Sequence, residues 1–209
     1  MANTERVKEI FAQTGTILTD DHFLYKSGLH GSEYVNKDAV MPQTLRAFEL
    51  CQMIAEMYID RDIQTVVGPA SGGITLAWGT ALALSQMTGR EVVGVFAEKG
   101  SDDSFFFARG HDKLIHGTRV LATEDVLTTG SSVKSVLQAL QPLEVDLVSL
   151  AVLCNRGKVK PEDIGFGLRK INALLEISMS TWKPEECPMC QAGIPINKNI
   201  GHGKNLPTS

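Results

Sequence analysis

Arg119-Val-Leu-Ala-Thr-Glu-Asp-Val-Leu-Thr-Thr-Gly-Ser-Ser-Val133 is the stretch whose reading decides the fold. Its first half is apolar and rich in β-branched residues, the pattern of a buried strand. The strand is expected to end at two adjacent acids, Glu124 and Asp125, and a loop of Thr128, Thr129, Gly130, Ser131 and Ser132 follows. Val133, Val136, Leu137 and Leu140 then recur at helical spacing. The order strand, loop, helix puts small hydroxyl residues at a helix N-terminus. Unpaired N–H groups and a partial positive charge bind phosphate there without a lysine. Gly130 lets the backbone approach an anion closely, and the Thr and Ser hydroxyls add donors. Two carboxylates beside a phosphate site conflict electrostatically unless they accept hydrogen bonds from hydroxyls of the same ligand. A sugar phosphate offers both groups. It would bind beyond the carboxyl end of the strand, where open α/β sheets hold ligands.

Working outward, a second unit of the same kind precedes this one. Ile63-Gln-Thr-Val-Val67 reads as a strand, Gly68-Pro-Ala-Ser-Gly-Gly73 as a glycine loop, and Ile74 to Leu84 as a helix. The loop is neither a Walker loop nor G-x-G-x-x-G, but it is a second anion site by the same physics. Further apolar strands are expected at Glu91–Glu98, at Val145–Cys154 and near 171–177. An amphipathic helix is expected over residues 3–14, capped by Asn3 or Thr4, with Val7, Ile10 and Phe11 on one face. Another follows Pro42, with Leu45, Phe48, Cys51, Ile54, Ala55 and Tyr58 on its apolar side and Cys51 as a buried, inert thiol. Gly15 to Asp38 reads as two short strands about a turn at Ser27-Gly28 and Gly31-Ser32. Phe105 to Gly110 reads as a strand and His111 to Gly117 as a loop. Phe105, Phe106 and Phe107 cannot all point inward at a period of two, so at least one is expected to face a partner, which suggests a homodimer.

The 209 residues suit one domain with a small appendage. A hydrophobic content of 43% with 21% charged residues supports a real core. The net charge of −4 argues against a general nucleic-acid or membrane-surface binder. No apolar run is long enough to span a bilayer, and Met-Ala-Asn-Thr-Glu-Arg lacks a signal-peptide core, so a cytoplasmic protein is expected. Four cysteines do not make a disulfide scaffold. Cys187-Pro-Met-Cys190 is C-x-x-C, and a zinc site there would need His202, another cysteine or a second chain. Otherwise it is a tail thiol pair. The last residues, 196–209, are rich in Gly, Asn and Lys and are expected to be mobile.

The central stretch resembles the 5-phosphoribosyl 1-diphosphate (PRPP) motif of type I phosphoribosyltransferases: apolar strand, two acids, Thr-Thr-Gly, hydroxyl residues. The resemblance covers roughly residues 20–195. It implies an α/β fold with a central, mainly parallel sheet flanked by helices and a small N-terminal hood. A single domain would run over 1–195, with the hood at about 15–40 and the core at about 41–180. Phe23-x-x-Lys-Ser-Gly-x-x-x-x-x-Tyr34 resembles the hood of orotate phosphoribosyltransferases, which implies that Lys26 contacts PRPP and that Tyr34 and Val35 face the base. Ser71, Gly72 and Gly73 would hold pyrophosphate through the backbone, since no lysine stands in that loop. Lys99 carries over as a pyrophosphate contact, while Glu98 replaces the family's usual arginine. The family's loop lysine falls at Asp102, so Arg109 is expected to act as the loop cation, with Lys113 in reserve. Glu124 and Asp125 would hold the ribose hydroxyls and Val126, Leu127, Thr128, Thr129, Gly130, Ser131 and Ser132 the 5′-phosphate. Thr128 and Arg156 would hold orotate, the arginine by bidentate capture of its carboxylate. Lys99, Arg109 and Asp125 form the implied catalytic set, with Mg²⁺ carried mainly by PRPP. The implied reaction is orotate plus PRPP giving orotidine 5′-monophosphate and pyrophosphate, in pyrimidine biosynthesis. Two other readings are a phosphoribosyltransferase for a purine base and a non-catalytic PRPP sensor.

Overall fold

The computed structural model describes residues 4–25 and 27–207. Its elements in chain order are α1 (Thr4–Thr14), β1 (Ile17–Leu18), β2 (Phe23–Leu24), β3 (His30–Gly31), β4 (Tyr34–Val35), α2 (Lys37–Val40) and α3 (Thr44–Glu56). Then come β5 (Thr65–Pro69), α4 (Gly72–Thr88), β6 (Val93–Lys99), β7 (Phe105–Phe106), α5 (His111–Ile115), β8 (Arg119–Leu127) and α6 (Ser131–Leu140). The chain continues with β9 (Asp146–Asn155), α7 (Pro161–Ile164), β10 (Ile171–Glu176) and α8 (Pro188–Gln191).

Six strands form one sheet in the order β10-β9-β8-β5-β6-β7. All neighbours are parallel except the edge pair β6–β7. The chain runs from β5 outward to β6, then returns to the other side of β5 with β8. The junction between β5 and β8 is therefore the topological switch point, where an open α/β sheet leaves a crevice at its carboxyl edge. Both of the strand–loop–helix units read from sequence open onto that junction.

The sheet is buried on both faces, which is why its central strands are apolar without alternation. Leu121 joins a core with Val7, Ile10 and Phe11 of α1, Leu50 and Ile54 of α3, and Leu76 and Leu84 of α4. Val120 and Ala122, one residue to either side, join the opposite core with Val133, Val136, Leu137 and Leu140 of α6. Cys51 is buried against the first core, and burial pushes its thiol up to about 12, so it is unreactive.

Several expectations from sequence are corrected. β8 does not stop at the acids; it continues through them to Leu127. α6 begins at Ser131, so Ser131 and Ser132 are its first turn rather than loop. The strand expected at Phe105–Gly110 ends after Phe106, because Arg109 and Gly110 both adopt positive φ (59° and 80°). His111–Ile115 is a short helix, not a loop, with Ile115 the residue that docks it. Leu45 is 85% exposed despite its helical spacing. Asn3 lies outside the described residues, and Thr4 is already helical. The hood is four two-residue strands in two antiparallel pairs, β1–β4 and β2–β3. Phe105 is buried and Phe106 exposed, as the period of two requires.

Candidate functional site

Gly130 turns the chain from β8 into α6 at φ 77°, a left-handed conformation that glycine adopts without strain. The first amides of α6 have no helical carbonyl to bind. The amide of Ser131 reaches only Thr129 Oγ1, at 3.5 Å. Thr128, Thr129, Ser131 and Ser132 are exposed at the mouth of a cavity of about 530 Å³. Its walls bring together Glu124, Asp125 and Val126 to Ser132 with Tyr34, Val35 and Arg156. Residues 124–132, Tyr34, Val35 and Arg156 thus share one space.

The acid pair is buried: Glu124 is 7% exposed and Asp125 5%. Sequence reasoning missed the partner that makes this tolerable. Lys37, at the start of α2, places Nζ 2.5 Å from Asp125 Oδ2. Burial alone would lower the pKa of Lys37, but the charge and hydrogen bond of Asp125 outweigh it and the net shift is upward. Glu124 has no such partner. Burial first, then the neighbouring Asp125 charge, push its carboxyl up to about 8. Burial and the Asp125 charge thus favour the protonated form of Glu124, while Asp125 faces the Lys37 ammonium. The electrostatic conflict between two acids and a phosphate site is removed by one proton and one ammonium.

Gly72 opens α4 directly against this pair. A methyl group there would collide with Asp125 Oδ2 and lie 2.5 Å from Lys37 Nζ. Glycine is required for that close approach, which brings the first turn of α4, not a loop as read from sequence, to the acid pair. The peptide between Ala70 and Ser71 is cis.

Arg156 follows β9, and its amide donates to Leu127 O at 3.0 Å. Its Nε donates to Thr128 Oγ1 at 3.2 Å, and its guanidinium lies 4.4 Å above the centre of the Tyr25 ring. Tyr25 stacks on Tyr34 at 6.3 Å, so hood aromatics hold the arginine in place. Tyr25, Ser27, Asn36, Lys37 and His202 also line the cavity, and none was singled out for it from sequence. Lys37 carried one available signal, its place two residues after the Tyr34-Val35 pair that was expected to face the base. Lys26 lies outside the described residues.

The loop cations are held apart from this cavity. Lys99, at the carboxyl end of β6, pairs with Asp103. Arg109 pairs with Glu98 Oε1 at 2.7 Å and is mostly exposed. Neither is among the cavity-lining residues. A depression of about 610 Å³ beside Trp78 has no comparable convergence of polar groups. No helix among the described residues is long and apolar enough to cross a membrane.

Comparison with known proteins identifies the family. A family model described as the phosphoribosyl transferase domain matches residues 47–172. The chain is 33% identical over 196 residues to the orotate phosphoribosyltransferase of Caldicellulosiruptor saccharolyticus, covering 94% of this chain and 96% of that one. It is 34% identical to the protein of the same name from Desulforamulus reducens, again over 94% and 96% of the two chains. Among solved structures, Mycobacterium tuberculosis orotate phosphoribosyltransferase in complex with Fe(III) dicitrate superposes with a TM-score of 0.64 at 21% identity, over 83% of this chain and 96% of that one. The same enzyme in complex with PRPP gives a TM-score of 0.56 at 20% identity, over 83% and 88%. These two likenesses establish the fold, and the closer relatives go further. The chain belongs to the phosphoribosyltransferase family and, within it, to the orotate phosphoribosyltransferases.

Proposed function

We infer that the protein transfers the 5-phosphoribosyl group of PRPP to orotate, giving orotidine 5′-monophosphate and pyrophosphate. The observation that carries this reading is the position of Arg156. A guanidinium stacked on Tyr25 and bonded to Thr128 stands in the same cavity as the acid pair and the phosphate loop. A planar cation there selects a base that bears a carboxylate, which a purine lacks.

The geometry supports the following roles. Residues 129–132 offer amides and hydroxyls to the 5′-phosphate. Glu124 and Asp125 accept the ribose hydroxyls, and Lys37 orients Asp125. Ser71 and the first turn of α4, beside Asp125, face the diphosphate end. Departure of pyrophosphate through an oxocarbenium-like state needs no protein nucleophile. It needs the reactants held in line and the growing charge neutralised. Lys26, Lys99 and Arg109 are the cations for that task. The Lys99–Asp103 and Arg109–Glu98 pairs are exposed at one or both ends. Such pairs contribute about 0–1 kcal/mol, so exchanging their acids for pyrophosphate oxygens is easy. Movement of the 100–110 segment over the cavity would make that exchange and exclude water.

Two adjacent carboxylates, one already paired with Lys37, suit Mg²⁺ carried by substrate oxygens and water rather than a cage of protein ligands. When bound, the ion neutralises part of the diphosphate charge. Exposed Trp78, Leu45 and Phe106 support a homodimer. Free thiols at Cys51 and Cys154 suit a reducing cytoplasm. Activity with orotate, adenine, guanine and xanthine in turn tests the reading. Turnover with orotate alone is expected, and turnover with a purine, or PRPP binding with no turnover, refutes it.

A further inference from the structure

The C-x-x-C of the tail acquires partners that the sequence did not reveal. His22 Nε2, His30 Nδ1, Cys187 Sγ and Cys190 Sγ all lie within 4.8 Å of one another. The nitrogens are 2.8 Å apart. Cys187 Sγ is 3.6 Å and Cys190 Sγ 3.8 Å from His22 Nε2, and Cys190 Sγ is 3.3 Å from His30 Nδ1. A tetrahedral ion with Zn–S of about 2.3 Å and Zn–N of about 2.0 Å sets N···S edges of roughly 3.5 Å and an N···N edge of roughly 3.3 Å. The four closest pairs lie within about half an ångström of those edges, and the widest, at up to 4.8 Å, would close by about 1 Å as the donors draw in around an ion. His202, the partner considered from sequence, is not in the group; it lines the cavity instead.

We propose that His22, His30, Cys187 and Cys190 form a structural zinc site that fastens the hood to the C-terminal tail. Two thiolates and two imidazoles match the donor set and count of a closed tetrahedral zinc centre, and no hard oxygen ligand is among them. The surroundings orient the donors. The Ile194 carbonyl lies 2.7 Å from His22 Nδ1 and can only accept, so that nitrogen carries the proton and Nε2 presents its lone pair to the cluster. Three of the four residues are at most 5% exposed, and Cys190 alone reaches the surface.

The placement gives the site a purpose. His30 lies on β3, paired with Leu24 on β2, and Tyr25 follows directly. The backbone of His30 exchanges two hydrogen bonds with Trp182. Asn197, in the segment read as a mobile tail, donates to His22 O at 2.7 Å. Just beyond, Gly201 rests against Leu24 O and the Tyr34 ring, and His202 enters the cavity. The ion would thus anchor two strands of fewer than three residues each, too short to hold themselves. It would fix Tyr25 and Tyr34 around Arg156. All four ligands lie outside the 47–172 span of the family model, so the site belongs to this chain's hood and tail, not to the shared core.

Elemental analysis of the full chain, purified without chelator under reducing conditions, tests this. One zinc per chain is expected in wild type and in His202→Ala. A loss of most of it is expected in Cys187→Ser and Cys190→Ser. Cobalt alone, added to wild-type protein stripped of metal, is expected to give tetrahedral d–d bands and thiolate charge transfer, saturating at one ion per chain. Cys190→Ser, whose side chain is exposed, is expected to leave the central sheet intact by circular dichroism and to weaken the charge transfer. Stripping should raise the orotate KM more than the PRPP KM. Wild-type protein with neither zinc nor a cobalt spectrum, or Cys190→Ser with wild-type zinc content and spectrum, overturns the proposal. Stoichiometric iron in place of zinc overturns the choice of ion.

Discussion

Gly72→Ala is the most informative single change, because stability and substrate binding should fail together for one reason. By helix propensity alone, alanine at the start of α4 gains up to about 1 kcal/mol over glycine. The structure opposes that gain. The added methyl collides with Asp125 Oδ2 and sits 2.5 Å from Lys37 Nζ. Asp125 cannot yield cheaply, since it is short, buried, and accepts a 2.6 Å bond from the Val126 amide as well as the Lys37 ammonium. Breaking a fully buried pair costs about 3–5 kcal/mol. The Lys37 side chain is 33% exposed and can turn to water, so the cost is discounted to roughly 2–3 kcal/mol. The net loss is about 1–2 kcal/mol, or a fall in Tm of roughly 2–8 °C for a domain of this size. A displaced Asp125 also leaves the ribose hydroxyls without one acceptor, so the PRPP KM should rise about tenfold. Thermal unfolding, and steady-state kinetics with PRPP varied at saturating orotate, read both effects. A Gly72→Ala protein with wild-type or higher Tm and an unchanged PRPP KM would refute the close packing of Gly72, Lys37 and Asp125.

Arg156→Ala should raise the orotate KM about ten- to a hundredfold, the loss of one charge-assisted pair, while the PRPP KM moves little. Equal effects on both constants would count against carboxylate capture. Asp125→Asn should lower kcat/KM for PRPP by about ten- to a hundredfold and cost roughly 2–3 kcal/mol, the same loss of the Lys37 pair, without unfolding the domain; circular dichroism and thermal unfolding check the second point. Glu124→Gln bears on pH. The native carboxyl is raised from 4.5 to about 8, so the native state binds more protons than the unfolded chain between those values. Wild-type stability should therefore fall as pH rises through that window. Glu124→Gln should lack this slope and gain on wild type, by on the order of a few kcal/mol above pH 8. Parallel Tm profiles for the two proteins between pH 5 and 9 would show that Glu124 is not held protonated.

The sheet was legible because each central strand is a short apolar run ended by glycine or hydroxyl residues, a local pattern that survives in one dimension. The phosphate loop was legible for the same reason: Gly130 and the residues on either side of it are contiguous. Lys37 was not, because its meaning lies in a contact 88 residues away along the chain. The histidine–cysteine cluster was hidden more thoroughly. His22 and Cys187 are 165 positions apart, and the two-residue strands that carry the hood leave no periodicity to read. The Phe105–Gly110 stretch misled because its apolar run predicts a strand, while positive φ at Arg109 ends it after two residues. Leu45 misled in the opposite way, with correct helical spacing on a face that no other element among the described residues covers.

The measurement closest to the central claim is a crystal structure of the protein with Mg-PRPP. The 5′-phosphate should lie against the amides of residues 129–132, the ribose hydroxyls on Glu124 and Asp125, and the diphosphate toward Gly72. A sugar phosphate seated outside the 124–132 segment, with its hydroxyls away from both acids, would contradict the account.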